Sequence, residues 1–340
     1  MAERARVTRS GAVLLGDNVA CDAFDGTRPL HVVTHAHADH LGGLRKSLKT
    51  CEKVLMTKAT RDLTETLDKS YKLRGKPVEC LEYGKALKYG CERITLLKAD
   101  HILGACQVLV EDAGGIRIVW TGDFRIDSTP VVDCDVLVVE ATYGSPSCRR
   151  NFGVDVRKLL VSMVETRLRG GVVYLFGYHG KLQEVMQILR NADVAVPFVM
   201  PEHVYQVTKV CEKHGMQLGP ISLSTDKEGH EFLDANLPCV AFYHMNQRQH
   251  VGLHNARICV SGWEFQSPCR QIGEREHLVA LSDHSDFDGL IEYVKRSHAK
   301  QVITDNYRSN GDALAKEISK RLGVSAVAMP RSTGQTSLFE

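Results

Sequence analysis

A dense cluster of histidine and aspartate stands at positions 34–40 of the chain. It contains His35, His37, Asp39 and His40, with alanine at positions 36 and 38. Imidazole nitrogens and carboxylate oxygens are ligands that zinc takes in proteins. Because His35 and His37 lie two residues apart, an extended or tightly turning backbone can aim both rings at one ion. Asp39 and His40 would then face a second ion nearby. Only 15 of the 340 residues are histidine, so the clustering favours a metal site over a histidine-rich surface loop.

Periodicity predicts the elements that must position these side chains. An apolar run at 30–33 directly precedes the ligands and predicts a buried strand that ends where they begin. Further short apolar runs in the first part of the chain predict strands at 13–15, 54–56, 94–97, 107–111, 116–120 and 136–139. Gly114 and Gly115 indicate a hairpin between two of these strands. A helical period predicts helices at 57–67, 154–168, 182–189, 202–214, 286–297 and 312–322.

The pattern of predicted elements changes after Gly144, where strands begin to alternate with helices. Such alternation is typical of a parallel sheet and indicates a second α/β region. The corresponding strands are predicted at 172–176, 198–200, 240–243 and 258–261, and the tail adds strands at 278–281 and 302–304. The sequence therefore predicts the α/β class, with a second region inserted into the first.

Composition is ordinary for a globular protein, with 43% hydrophobic and 25% charged residues. No run reaches the roughly 18 apolar residues of a membrane span, and the first residues lack an apolar signal core. We therefore expect a cytoplasmic protein with no membrane partner. The 11 cysteines are scattered singly and odd in number, so we expect reduced core residues.

The net charge of +2 neither demands nor excludes a nucleic-acid partner. Two local basic clusters are either solvated faces or phosphate-binding grooves. They contain Lys69, Lys72, Arg74 and Lys76, and then Arg149, Arg150, Arg157 and Lys158.

The pattern His-x-His-x-Asp-His at 35–40 resembles the second motif of the metallo-β-lactamase superfamily. Three further positions match the superfamily's other motifs in the right order: Asp22, His101 and Asp123. The resemblance implies that Asp22 orients the histidine loop, that His101 is the third ligand of the first ion, and that Asp123 bridges both ions.

Three later segments resemble the β-CASP branch, whose members are nucleases of DNA and RNA. Glu140 precedes a Thr-Tyr-Gly turn, Gly180 and Lys181 open a Gly-Lys-x-Gln-Glu helix start, and His284 lies in Ser-Asp-His-Ser-Asp-Phe. The last segment is similar to that of DNA cross-link repair nucleases and of prokaryotic exonucleases associated with DNA ligase. The resemblance covers roughly residues 12 to 330. It implies an αββα metallo-β-lactamase sandwich from 1–145 and 270–340, with an α/β β-CASP domain inserted at 146–269.

One motif departs from the family pattern. RNA-cleaving relatives usually carry a histidine after the strand that here ends at Thr304, whereas this chain has Asp305. Asp305 either replaces that histidine as an oxygen ligand of the second ion or caps the following turn. The departure favours DNA as substrate and predicts that the second ion binds more weakly than the first. A smaller departure is Asp100, which stands where glycine commonly precedes the motif histidine.

The resemblance also assigns roles. One zinc would be held tightly by His35, His37 and His101, with Asp123 bridging. A second zinc, or manganese or magnesium in its place, would be held by Asp39 and His40, so that Asp39 serves catalysis as well as binding. His284 would donate a proton to the leaving oxygen with support from Glu140, and Asp22 would support the site. Residues assigned to substrate binding are Gly180, Lys181 and Ser285, although Lys181 could equally be a solvated helix-start residue.

The predicted function is therefore a zinc-dependent nuclease that hydrolyses DNA, as a single strand or at a duplex end, in repair or processing. Exonuclease action is favoured over endonuclease action. The leading alternative is a ribonuclease or RNA 3′-end processing enzyme, so RNA remains open as a partner. A small-molecule thioester or lactone hydrolase would share the histidine cluster but would need neither Glu140 nor His284. An inactive nucleic-acid-binding subunit is disfavoured because the ligand set is complete. Polarity of cleavage and oligomeric state stay open.

Overall fold

The computed structural model describes residues 4–331. Contacts between the described residues divide the chain into two compact units, of which the first is discontinuous. Unit one consists of the described residues up to Arg149 together with those from His284 onward, and unit two runs from Arg150 to Asp283. Both units mix helices and strands, which confirms the predicted α/β class.

The first sheet of unit one carries the histidine cluster at the end of its fourth strand. Its six strands lie in chain order: β1 (Ala5–Val7), β2 (Val13–Leu15), β3 (Val19–Cys21), β4 (Leu30–Val32), β5 (Lys53–Met56) and β6 (Val78–Cys80). β1, β2 and β3 pair antiparallel, and β3 to β6 run parallel. Parallel neighbours need crossover connections. Helices α1 (Leu44–Thr50) and α2 (Lys58–Leu67) provide two of them.

The second sheet of unit one begins with an antiparallel meander. Its strands are β7 (Ala86–Tyr89), β8 (Glu92–Lys98), β9 (Cys106–Glu111), β10 (Arg117–Trp120) and β11 (Val136–Val139). The hairpin predicted at Gly114 and Gly115 is confirmed, because β9 and β10 pair antiparallel around it and Gly115 has a φ of +79°. Only glycine adopts such a φ without steric cost. β11 then pairs with β10 in parallel.

One apolar core receives side chains from both sheets of unit one. Leu15, Leu30, Val108 and Trp120 are among its fully buried members. Burying apolar surface of this kind contributes about 25 cal/mol per Å². Because the ligand-bearing loops leave from the ends of these strands, this core fixes the positions from which the site is built.

Unit two is built on a single seven-stranded sheet. Its strands are β12 (Val173–Gly177), β13 (Phe198–Met200), β14 (Ile221–Leu223), β15 (Val240–His244), β16 (Ala256–Val260), β17 (Cys269–Gly273) and β18 (Glu276–Val279), in the order β14-β13-β15-β12-β16-β18-β17. All pairs are parallel except β17 with β18. The helices are α3 (Val156–Leu168), α4 (Lys181–Asn191), α5 (Glu202–Lys213) and α6 (Lys227–Asp234). The predicted parallel sheet is thus confirmed.

The chain then returns to unit one and completes its second sheet. The returning elements are α7 (Phe287–Arg296), β19 (Gln301–Asp305), α8 (Gly311–Leu322) and β20 (Ser325–Met329). β19 pairs in parallel with β11, and β20 pairs in parallel with β19. The final order is β20-β19-β11-β10-β9-β8-β7, so β11, followed by Glu140, lies inside the sheet.

The return to unit one occurs later than the boundary at 270 that the sequence predicts. β17 and β18 belong to the sheet of unit two, because β18 pairs in parallel with β16 from Arg257 to Val260. The strand predicted at 278–281 therefore extends unit two, and the division falls between Asp283 and His284. Among the described residues, none of the helices combines the length and apolar character needed to cross a bilayer.

Candidate metal centre

The predicted ligands of unit one follow the ends of its strands. His35, His37 and the short 3-10 turn Ala38–His40 come directly after β4. His101 lies in the turn between β8 and β9, and Asp123 follows β10. The apolar strands thus give way to polar side chains at the points where backbone pairing stops.

Four ligand atoms converge at the first predicted ion position. Nδ1 of His37 lies 3.2 Å from Nε2 of His35 and 3.1 Å from Nε2 of His101. Oδ2 of Asp123 lies 3.6 Å from Nε2 of His35 and 3.8 Å from Nε2 of His101. All four atoms lie within 4.8 Å of one another. A tetrahedral zinc site with bonds of about 2.0–2.1 Å places its ligand atoms roughly 3.3 Å apart, so the observed spacing fits one ion of this kind.

A second group of donors adjoins the first through Asp123. Nε2 of His40 lies 3.3 Å from Oδ2 of Asp123 and 3.5 Å from Oδ2 of Asp39. The His40 nitrogen is buried and makes no well-formed hydrogen bond with any described residue. A buried polar atom of this kind costs free energy unless a partner compensates it. His40, Asp39 and Asp123 are therefore chemically suited to a second ion, although they offer fewer donors than the first set.

The carboxylate of Asp22 holds the histidine loop in position through hydrogen bonds. Its carboxylate accepts hydrogen bonds from the Thr34 backbone N–H (2.8 Å), the Thr34 hydroxyl (2.8 Å) and Nε1 of Trp120 (2.8 Å), and its Oδ2 lies 3.0 Å from Nδ1 of His40. Burial alone would raise the pKa of Asp22, but His40 and the Thr34 N–H bond outweigh burial and lower it. Asp22 therefore stays ionised and fixes the ring of His40.

The pKa shifts of His35 and Asp123 suit metal binding. Burial holds the pKa of His35 well below its usual value, so the ring is neutral, which is the form that binds metal. Burial would raise the pKa of Asp123, but the neighbouring His40 holds it well below its usual value. Burial also opposes a charge on His40, yet Asp123 and Asp22 together raise its pKa well above normal.

His284 and Glu140 form a pair beside this cluster. Nδ1 of His284 lies 3.0 Å from Oε2 and 3.1 Å from Oε1 of Glu140. The ring of His284 lies 4.7 Å, centroid to centroid, from that of His101. Glu140 is itself held by the backbone N–H of Phe124 at 3.0 Å. The structure thus brings the predicted proton donor to the predicted ligands.

Asp305 does not join the converging ligand atoms of the described residues. Its Oδ1 accepts the backbone N–H of Tyr307 at 2.9 Å, and its Oδ2 lies 2.8 Å from Nη1 of Arg308. Both oxygens are therefore engaged within the turn that follows β19. Of the two readings of Asp305, the structure favours the cap over the ligand.

Comparisons with known proteins complete this description, although no family model matches the chain. An uncharacterised protein in the lig 3′ region of Acidianus ambivalens is 38% identical over 138 residues, which is 40% of this chain and 99% of that protein. A probable DNA ligase of Opitutus terrae is 25% identical over 80% of this chain and 26% of its own length. The RNase aCSPSF2 of Saccharolobus solfataricus is 32% identical over 53% of this chain and 42% of its own length. The chain belongs to the β-CASP branch of the metallo-β-lactamase superfamily.

The chain of this β-CASP protein thus spans less than half of the ligase and of the ribonuclease that it matches. A solved structure of a protein of unknown function from Enterococcus faecalis V583 resembles it over 97% of both chains, with a TM-score of 0.64 at 12% identity. That likeness concerns the fold alone.

Two residues assigned to substrate binding have structural partners in this β-CASP chain. Ser285 is buried, and its hydroxyl donates to the Phe124 carbonyl at 3.1 Å and accepts from the Ile126 N–H at 2.9 Å. Lys181 is buried, and its ammonium lies 2.7 Å from Oδ1 of Asp283. Both residues are thus largely shielded from solvent, and substrate contacts by them stay a prediction. Gly180 starts α4 with a φ of +86°, and its N–H donates to Gln183.

The two basic clusters differ in their environment. Lys69, Lys72, Arg74 and Lys76 are all exposed. In the second cluster, Arg149 is paired with Asp288 at 2.8 Å, and Arg157 lies 3.4 Å from Glu184. The first cluster therefore presents four exposed cations, and the second presents two, Arg157 and Lys158.

Two arginines contact the site and were not found from the sequence. Arg125 makes a two-pronged ion pair with Asp100 at 3.0 and 3.1 Å, which ties the loop of His101 to the loop of Asp123. Arg308 joins Asp305 to the histidine loop, as described below. Asp100 stands where glycine is usual in the family. This extra carboxylate is the sequence signal that could have indicated an arginine partner such as Arg125.

Proposed function

We propose that this chain is a metal-dependent phosphodiesterase that hydrolyses DNA, with zinc as its tightly bound ion. The observation that carries the proposal is the convergence of His35, His37, His101 and Asp123 with the His284–Glu140 pair beside them. A small-molecule hydrolase needs the first set alone. We further propose that unit one is an αββα sandwich and that unit two is the inserted β-CASP domain.

The protein's own residues have separable tasks in this proposal. A bound zinc ion would supply Lewis-acid charge to the phosphate and a nucleophile at neutral pH. His35, His37, His101 and Asp123 would hold that ion, and Asp22 keeps their loop in position. Because Glu140 accepts a hydrogen bond from Nδ1 of His284, it favours the cationic form of the ring. His284 can then release a proton to the leaving oxygen and prevent it from carrying a full negative charge.

DNA is preferred over RNA for two reasons. The match to the probable DNA ligase spans 80% of this chain, whereas the match to the RNase aCSPSF2 spans 53%. In addition, Asp305 stands where RNA-cleaving relatives carry histidine. The 32% identity to that ribonuclease keeps RNA as the second candidate substrate. The exonuclease mode and a role in DNA repair or processing remain part of the proposal.

The decisive experiment is a side-by-side cleavage assay. The substrates are 5′- and 3′-labelled single- and double-stranded DNA, with RNA of the same sequence, and the His37→Ala variant serves as the inactive control. We expect DNA to be degraded faster and the products to shorten progressively from one labelled end. Faster degradation of RNA would promote the RNA-processing alternative, and hydrolysis of neither polymer by metal-loaded protein would overturn the proposal.

A further inference from the structure

Arg308 contacts the histidine loop of the candidate metal centre through the Asp39 carbonyl oxygen. We infer that Arg308 is a resident cation of this centre and supplies the charge that a second ion would otherwise bring, so that the protein binds one divalent ion strongly. This inference rests on the proposed function, because it concerns the same site.

The contacts of Arg308 hold its charge in one place. Nη1 lies 2.8 Å from Oδ2 of Asp305, and Nη2 donates to the carbonyl oxygens of Gly11 at 3.1 Å and Asp39 at 3.3 Å. Only 10% of its side chain is exposed. These bonds tie the turn after β19 to the β1–β2 turn and to the histidine loop. A guanidinium keeps its proton at all ordinary pH values, so the charge is permanent.

Arg308 also removes a donor from the second ion position. Asp305, the carboxylate that could replace the missing histidine, has its oxygens taken by Arg308 and by the Tyr307 N–H. Asp22 has its oxygens taken by Thr34 and Trp120. The second position is left with His40, Asp39 and the shared Asp123, while zinc usually takes four ligands.

Asp39 is the weakest of these remaining donors. Its side chain is 64% exposed, so water competes for its oxygens and its geometry is not fixed by packing. Asp123 is shared with the first ion. His40 is thus the only buried donor among the described residues that the second position has to itself.

Electrostatic repulsion, like the small number of donors, disfavours binding of a second ion. Four carboxylates surround this region: Asp22, Asp39, Asp123 and Asp305. The guanidinium interacts favourably with Asp305, Asp22 and Asp123. A second divalent ion would be repelled by the first ion and by an arginine that cannot deprotonate.

The test measures how many ions the protein holds and how strongly. Metal-free protein is titrated with zinc and, separately, with manganese by calorimetry, and metal content is then determined after dialysis. We expect the unmodified protein to retain one ion per chain and to bind a second at least about 10-fold more weakly. In Arg308→Gln, the second ion should bind at least about 10-fold more tightly than in the unmodified protein. Arg308→Lys, which keeps the charge, should behave like the unmodified protein.

A double variant separates charge from the freed carboxylate. In Asp305→Asn/Arg308→Gln both partners become neutral, and the Asp305 carboxylate is no longer available as a metal ligand. This variant also avoids an unpaired buried charge, in case Arg308→Gln alone does not fold. A gain in second-ion affinity that persists in the double variant supports repulsion by Arg308. Two equally tight ions in the unmodified protein overturn the inference, as does an unchanged second-ion affinity in the neutral variants. Failure to bind any ion at His35 and His37 would instead contradict the proposed function itself.

Discussion

Nδ1 of His284 lies 3.0 Å from Oε2 of Glu140, although 144 positions separate the two residues in the chain. The carboxylate of Glu140 keeps a proton on Nδ1 of His284. Nε2 is therefore the nitrogen through which His284 can act on a leaving oxygen. Glu140 cannot turn away, because it also holds the Phe124 N–H at 3.0 Å. The pair therefore has the geometry of a general acid with its orienting partner.

Replacing His284 by alanine should separate catalysis from metal binding. We expect His284→Ala to keep the metal content of the unmodified protein and to slow cleavage by about 100-fold or more, which is the usual scale of lost general acid catalysis. Metal analysis and single-turnover cleavage, measured on the same sample, provide the check. Ser285→Ala is the neighbouring control, since the described residues that its buried hydroxyl bonds are the Phe124 and Ile126 backbone. Loss of metal from His284→Ala would make His284 a ligand instead.

Replacing His37 should empty the first ion position. Its Nδ1 lies 3.2 Å and 3.1 Å from the ligand nitrogens of His35 and His101. Removing one of four ligands lowers affinity sharply, so we expect His37→Ala to lose its ion on dialysis against a dilute chelator that leaves the unmodified protein loaded. The exposed His230 supplies the control, because His230→Ala should retain its metal. Equal metal retention in both variants would place the tight ion elsewhere.

Lys181 should prove to be a residue of stability rather than of phosphate binding. It is buried in an ion pair with Asp283 at 2.7 Å. Breaking a buried pair leaves an uncompensated charge and costs about 3–5 kcal/mol. We expect Lys181→Met to lower the free energy of unfolding in urea by that order, and Lys181→Met/Asp283→Leu to recover much of the loss. A single variant with unchanged stability but weakened DNA binding would restore the phosphate-contact prediction.

Acid should destabilise unit two through Glu276. Hydrogen bonds from Arg248 and the neighbouring Arg257 lower the pKa of Glu276 to about 2, from about 4.5 in the unfolded chain. A carboxyl with a depressed pKa stabilises the fold above its unfolded pKa, and this contribution is lost as the pH falls from about 4.5 to about 2. The shift corresponds to about 3 kcal/mol. Urea unfolding compared between about pH 6 and about pH 2, which spans this range, should show a smaller loss of stability for Glu276→Gln than for the unmodified protein. Identical losses would contradict this assignment.

The sequence predicted the parts of the site that depend on local pattern. His35, His37, His101 and Asp123 follow strands or a turn between strands, and short apolar runs made those strands visible. His284 and Glu140 were found through family motifs, and their distance was not accessible from periodicity. Local pattern therefore indicated the cluster at 35–40, family motifs added His101 and Asp123, and the pairing across 144 positions needed the structure.

Contacts between residues that lie far apart in the chain could not be predicted from the sequence. Arg308 stands three residues after Asp305, and many such pairs exist only as solvated neighbours. Its role depends on the Gly11 and Asp39 carbonyls, which lie 297 and 269 positions away. The division after Asp283, rather than at the predicted 270, has a similar cause, since β18 joins β16 through backbone pairing that carries no side-chain signature.

The discontinuity of unit one has a consequence for synthesis on the ribosome. β19 follows β11, its neighbour in the sheet, by about 160 residues of chain. At roughly 5–20 residues per second, the nascent first segment must wait about 8–30 s for its missing strands. During that interval β11 has an unpaired edge, whereas unit two is contiguous and can complete its sheet as soon as it emerges. Chaperone capture of the nascent chain should therefore peak before residue 305 leaves the exit tunnel.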